Sequence, residues 1–281
     1  MKVDLGPQEL SLDVQVYNPR APGRPLVVLH GFLEHGAAWR WVAEQLNRPV
    51  YAPDQRGHGR SEHVGRGGFY HFWDYISDLD LLLEQLSPGG PVDLLGHSMG
   101  GTVACLYAGT RPERVHRLVL VEGLGPPDTS STLTQRAKLF LEHRRNPHRN
   151  PVLEDVPAAA LRIRRHNRRL SEERALSLAE HSTRPVDGGV TWSWDARHRA
   201  RSPRPFVDAQ FIPFLQEITA PTLVIWGGAS GFPGLGRAEH ISGARVVQIP
   251  GAGHLVHLDA PESVAREVEG FLSTSQPAPS R

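Results

Sequence analysis

What most constrains this chain is a rhythm of short apolar runs with scarcely a polar break. They are Leu26–Leu29, Val50–Ala52, Val92–Leu95, Leu118–Val121, Leu223–Trp226 and Val246–Ile249. A strand with one wet face alternates polar and apolar residues, so unbroken runs belong to strands covered on both faces. Between most of them lie stretches of helical character: Ala38–Leu46, Phe72–Leu86, Met99–Gly109 and Pro261–Leu272. Phe72, Ile76, Leu79, Leu83 and Leu86 recur at the interval that lines one buried helical face. Strand and helix in alternation predict a doubly wound α/β fold, its sheet mostly parallel and its crossovers right-handed. Leu10, Leu12, Val14 and Val16 alternate with polar residues and add a half-buried strand near the start.

The rhythm stops between Gly125 and Ala220. No comparable apolar run occurs there, but Thr132–Arg144, Val156–Asn167 and Ser171–His181 are helix-like. Asp155 with Pro157, and Ser171 with Glu172 and Glu173, are suitable helix starts. A short extended piece, Thr191–Asp195, precedes Ser202-Pro203-Arg204-Pro205. The stretch is too long for a plain loop and is read as a helical cap over one end of the sheet. The expected division is a core of residues 1–125 and 220–272, a cap of 126–219, and a polar, disordered tail of 273–281.

Composition excludes several classes. With 31 basic and 30 acidic residues the net charge is +1, so no global field marks a nucleic-acid binder. Cys105 is the single cysteine, which excludes an internal disulfide framework and multi-cysteine zinc or iron–sulfur sites. The 15 histidines show no metal-type spacing, so neither metal nor cofactor is expected. The Arg162–Arg169 run is read as a solvated helical face. No apolar run approaches the ~18 residues of a membrane span, and Met1–Pro7 lacks the apolar core of a secretory signal; a cytoplasmic protein is expected.

The chemistry gathers at Gly96-His97-Ser98-Met99-Gly100, directly after one apolar run and opening a helix. So sharp a strand-to-helix turn presents the central hydroxyl at the carboxyl edge of the sheet, with the first helical N–H groups beside it. A serine needs a base to accept its proton. His254, in Pro250-Gly251-Ala252-Gly253-His254 after the last run, can carry an imidazole back over that edge.

These features, with His30-Gly31-Phe32 after a strand and Asp54-Gln55-Arg56-Gly57-His58-Gly59-Arg60-Ser61, resemble the α/β-hydrolase superfamily over residues 25–125 and 220–272. Within it the chain is most similar to capped, serine-hydrolase-like members, on the strength of its cap and of Glu122–Pro127. The resemblance implies a sheet of about eight strands with the cap inserted after the sixth. It also implies an oxyanion hole from the main-chain N–H groups of Phe32 and Met99, and a stabilising rather than catalytic role for Asp54, Arg56 and His58. His97 is expected to turn away from the hydroxyl; with His30, Glu34, Trp39 and Phe211 it is assigned to the substrate pocket.

One departure stands out. Most relatives carry the third catalytic group, an acid, just after the strand that here is Leu223–Trp226, yet no Asp or Glu occurs from Thr219 through Ala238. The loop reads Gly227-Gly228-Ala229-Ser230-Gly231, and Ser230, which cannot supply a charge, is expected to matter little. Glu122 ends the run Leu118–Val121, where some capped relatives place their acid, and a carboxylate after an apolar strand calls for a partner. Ser98, His254 and Glu122 are therefore the expected triad, with Asp128 the next candidate acid. A serine nucleophile suits attack on a carbonyl and an acyl-enzyme, hence hydrolysis of a small-molecule ester, thioester or lactone by a monomer or homodimer. Cleavage of a C–C bond beside a carbonyl, and a catalytically silent ligand-binding fold, are the alternatives.

Overall fold

The structure, a computed structural model, describes residues 1–6, 10–65, 67–200 and 202–274. Its strands are β1 (Lys2–Asp4), β2 (Ser11–Tyr17), β3 (Leu26–Leu29), β4 (Val50–Pro53), β5 (Val92–His97), β6 (Val115–Val121), β7 (Val152–Leu153), β8 (Thr183–Val186), β9 (Gly189–Trp192), β10 (Thr222–Gly227) and β11 (Arg245–Ile249). Eight form one sheet in the order β1-β2-β4-β3-β5-β6-β10-β11. β1 and β2 join antiparallel, while β4, β3, β5, β6, β10 and β11 run parallel.

Successive strand residues point to opposite faces, and in β3, β5 and β10 both faces are covered; β11, also expected to be covered, is an edge strand with Val246 45% exposed. Leu94, Val224 and Trp226 enter one apolar cluster, whereas Leu95, Leu223 and Ile225 enter the other. Helix Phe72–Leu86 covers the first face with Ile76, Leu79 and Leu83, joined by helix Met99–Thr110. Helix Pro261–Leu272 covers the second with Val264, Val268 and Leu272. Each fully buried leucine contributes ~1.5–3 kcal/mol. Asp93, the acid inside the buried β5 run, is held by Arg48 at 3.1 Å and His116 at 2.8 Å.

The chain leaves the sheet after β6 and returns at β10. Between them lie helices Leu133–Arg145, Val156–His166 and Glu172–Ser182. Asp155 and Ser171 cap the latter two, accepting from the Ala158 and Arg174 N–H groups. The segment is not purely helical: β7, β9 and β8 form a small antiparallel sheet, with Asp187-Gly188 turning the β8–β9 hairpin. Its own core, including Leu153, Ala159, Leu170 and Ala179, packs against Ala38 and Leu258. Three further details differ from expectation. Ala38–Leu46 is a 3₁₀ turn at Gly36–Trp39 and one helical turn at Arg40–Ala43, helix Asp208–Gln216 follows the proline-rich stretch, and β1 edges the sheet. Most of the predicted tail, residues 275–281, lies outside the described residues. Among the described residues no helix is long and apolar enough to cross a membrane.

Candidate active site

β5 passes into helix Met99–Thr110 through a single residue, Ser98, at φ 49° and ψ −112°. A positive φ in a residue with a Cβ carries strain of ~1–3 kcal/mol, so the surroundings must impose it. They do so through the Ser98 N–H, which donates to Val121 O at 3.1 Å, and through Ser98 O, which accepts from Thr102 N at 3.1 Å. A Cβ on Gly96 would lie 2.4 Å from Gly100 O, and one on Gly100 would lie 2.3 Å from Leu29 O. Only glycine lets the helix start this close to β3 and β5. The Ser98 hydroxyl therefore stands at the carboxyl edge of the sheet, and Met99 supplies the first N–H of the helix.

His254 follows β11 through the turn at Pro250–Gly253, and its Nε2 lies 3.0 Å from Ser98 Oγ. On its other side Nδ1 lies 3.1 Å from Glu122 Oε2. Glu122 is fully buried, one residue beyond β6, and its φ of 51° swings the side chain toward β10. Gly227 N donates to its Oε1 at 2.7 Å, and Ser230 Oγ donates to its Oε2 at 2.8 Å. The carboxylate thus takes three donors, and the His254 Nδ1–H is one of them. That tautomer, assigned from its partners, leaves the Nε2 lone pair facing the serine hydroxyl. Phe232 stacks on the ring with centroids 4.2 Å apart, and the His254 side chain keeps 32% exposure.

Ser230 is the residue that sequence reasoning set aside. It occupies the loop where the acid is usually found, and here its hydroxyl donates to Glu122 Oε2 while its Oγ also accepts from Phe232 N at 3.1 Å. A hydrogen bond to a charged group is worth ~1.5–3 kcal/mol. Ser230→Ala is therefore expected to lower kcat roughly tenfold or more with little change in KM; an unchanged kcat would show that Glu122 holds its position unaided.

The remaining expected site residues divide clearly. Gly31 and Glu34 close a turn, Glu34 N donating to Gly31 O at 3.2 Å; Phe32 lies inside it, with its own N–H outside that bond and its ring 49% exposed. His30, Trp39, His97 and Phe211, expected in the pocket, are buried and line no open surface. His30 is locked to the Asp54–Ser61 loop, its Nε2 accepting from Gln55 N at 2.9 Å. Trp39 stacks on buried His257, and Phe211 packs on Phe206. Glu34 turns inward, accepting from Gly31 N at 2.8 Å and facing His97 at 3.1 Å. Asp128 takes the N–H groups of Ser130 and Asp208 at the surface, and no bond joins it to His254. In the Asp54–Ser61 loop, Asp54 holds the Gly36 and Arg60 N–H groups and Arg56 pairs with Asp78.

Glu34, His97 and His257 bring metal-ligand-type atoms within 4.8 Å of one another. Glu34 Oε2 and both His97 nitrogens are already engaged in hydrogen bonds. A cleft of about 370 Å³, lined by His63, Arg149, Val152, Arg184 and Trp194 among others, shares no residue with the Ser98 cluster.

Comparison with known proteins identifies the family. A serine hydrolase-like protein of Danio rerio is 28% identical over 282 residues, covering 94% of this chain and 85% of that protein. An esterase of Mycobacterium tuberculosis is 28% identical over 263 residues, covering 89% and 83%. Among solved structures, a thioesterase domain from the curacin biosynthetic pathway superposes with a TM-score of 0.86 at 31% identity, over 98% of both chains. The family model for the alpha/beta hydrolase fold matches residues 24–261, and the chain belongs to that family.

Proposed function

We propose that this protein is a cofactor-independent serine hydrolase that cleaves a carboxylic ester, or a thioester or lactone, through an acyl-enzyme. The observation that carries the reading is the single imidazole, His254, set between Ser98 Oγ at 3.0 Å and Glu122 Oε2 at 3.1 Å. Ser98 attacks the carbonyl carbon while His254 Nε2 takes the hydroxyl proton. The imidazolium so formed is stabilised by Glu122. The Phe32 and Met99 N–H groups receive the oxyanion, each such donor being worth ~3–4 kcal/mol in the transition state. His254 then returns the proton to the leaving oxygen or sulfur. Water, deprotonated by the same ring, releases the acid in the second half-reaction.

Exposed Phe32, with Phe232 beside His254, gives the rim an apolar character suited to an aliphatic or aromatic acyl or alcohol group. The esterase among the relatives and the thioesterase domain among the structures support an acyl substrate. Residues 126–219 act in this reading as the cap that selects it. His198, in that segment, meets the Phe32 ring edge-to-face with centroids 6.2 Å apart, and Asp195 N donates to Gly57 O at 2.8 Å.

A fluorophosphonate probe tests the reading, because it reacts only with an activated hydroxyl. Labelling of the wild type that disappears in Ser98→Ala is expected; an unlabelled wild type would favour a silent binding fold. A screen of p-nitrophenyl acyl esters, thioesters and lactones then separates the substrate classes. Turnover of none of them by a protein that labels would point to C–C cleavage on the same groups.

A further inference from the structure

Behind the Ser98–His254 pair lies a second polar layer that the hydrolytic steps do not use. His97, the residue before the nucleophile, is fully enclosed. Its Nε2 lies 3.0 Å from the main-chain oxygen of His254 and its Nδ1 lies 3.1 Å from Glu34 Oε2. The same Glu34 oxygen accepts the N–H of Gly31, which opens the turn carrying Phe32. His97 is thus joined at one end to the base loop, at the other, through Glu34, to the oxyanion turn, and through its own backbone to the elbow.

The partners dictate its protonation. A carbonyl oxygen only accepts, so Nε2 must carry a proton. Glu34 Oε2 is engaged by Gly31 N–H and faces Nδ1, so both ends are satisfied when Nδ1 also carries one and the carboxylate is ionised. Should the Nε2 proton be lost, or the Nδ1 proton leave the pair for solvent, a lone pair confronts an oxygen. Burial alone would discharge the ring, but the adjoining Glu34 carboxylate outweighs it and raises the His97 pKa above the ordinary value. Burial likewise opposes the Glu34 charge, yet the His97 imidazolium and the hydrogen bonds from His97 and Gly31 hold that carboxyl well below the usual range. The other titratable groups around His97 are Glu122, which favours its charge, and His254, His30 and His257, whose protonation would oppose it. Burial lowers the pKa of His257 to about 3, so that ring stays neutral beside the pair.

We propose that the Glu34–His97 ion pair is a positioning strut of the hydrolytic site, an imidazolium that fixes the oxyanion turn and the His254 loop against the elbow before substrate arrives. The proposal rests on the hydrolytic reading above. His97 and Glu34 touch no reacting atom; they act through the His254 main chain and the Gly31 peptide. Because reacting groups misplaced by about 1 Å can lose ~10²-fold in rate, the strut acts on kcat and leaves KM nearly alone.

The test uses the full chain and the fluorophosphonate probe. His97→Gln and Glu34→Gln keep size and remove the charges; each is expected to label 10–100-fold more slowly. The double variant should be little worse than either single one, since both break the same link. In the wild type the labelling rate should fall along an alkaline limb as His97 loses its second proton. That limb should be absent from His97→Gln. Side-chain nitrogen NMR should show both His97 nitrogens protonated at neutral pH, and their titration should coincide with the alkaline limb. Wild-type labelling rates in both variants, multiplicative losses in the double variant, or a singly protonated His97 would each overturn the strut. Should a variant fail to fold, the wild-type coincidence of NMR titration and alkaline limb decides alone, a mismatch refuting it. A wild type that never labels would instead overturn the hydrolytic reading, and the nitrogen NMR would still accept or reject the ion pair.

Discussion

Glu122→Gln is expected to lower kcat by ~10³–10⁴-fold while the fold is retained. The magnitude follows from the donors around the side chain. Gly227 N–H and Ser230 O–H both point at its oxygens, and His254 Nδ1 needs an acceptor there as well. An amide offers one oxygen and one NH₂, so it cannot accept from both sides. With its oxygen toward Gly227, the NH₂ faces His254 and drives the ring to the tautomer with a proton on Nε2. Ser98 then meets a donor where it needs a base. With the amide reversed, its NH₂ confronts the Gly227 N–H and the imidazolium still lacks a counter-charge. Burial of the site keeps water from substituting for the lost charge. Steady-state kinetics on the best ester from the screen, with circular dichroism to verify folding, would measure the effect. Turnover within tenfold of wild type would remove Glu122 from the mechanism.

The same residue shows how far a sequence reading reaches. The strand runs were legible because a strand buried on both faces needs an apolar residue at every position, as Leu94 and Leu95 do on opposite sides of β5. Ser98 and His254 were legible because each sits beside glycines at the end of such a run. Glu122 was reached from the absence of an acid between Thr219 and Ala238 together with its place at the end of the Leu118–Val121 run. Its left-handed backbone and its partner Ser230 left no local signal, because their meeting joins β6 to the β10 loop across 108 residues. The one available clue was chemical: a hydroxyl standing where a carboxylate is expected can serve a carboxylate displaced elsewhere.

The pocket assignment failed for a related reason. Proximity in sequence to the elbow and the oxyanion turn says nothing about side-chain direction, and the chain buries His30, Trp39 and His97 inside the layer that supports the site. The hairpin at Asp187-Gly188 was legible but unread, since Asp-Gly is a strong two-residue turn signal. Its flanking strands have four residues each, too few to show a clear period.

Acidification from pH 7 to about 4 is expected to unfold the protein, apart from any effect on catalysis. Burial lowers the pKa values of His30, His35, His198 and His257 to about 3, and that of His58 well below its ordinary value. The geometry agrees for His30, whose Nε2 must keep a lone pair to accept the Gln55 N–H. In the unfolded chain each imidazole takes a proton near pH 6.5; in the fold it does not. The unfolded state therefore binds more protons between those values. Their stabilising effect is complete above pH 6.5 and drains away as pH falls toward about 3, by ~1.4 kcal/mol per pH unit for each histidine. Three carboxyls push the other way. Burial raises the pKa of Asp54 to about 6 and those of Asp78 and Asp93 above their ordinary value, so their protonation favours the fold as pH drops and offsets part of the uptake by the five histidines. A net uptake of about two protons on unfolding would remove ~3 kcal/mol per pH unit, against a typical total of ~5–15 kcal/mol. The melting temperature should accordingly fall steeply below pH 6. Thermal melts across a pH series measure the effect, and a melting temperature that stays flat from pH 7 to 4.5 would show that these buried rings are not held neutral.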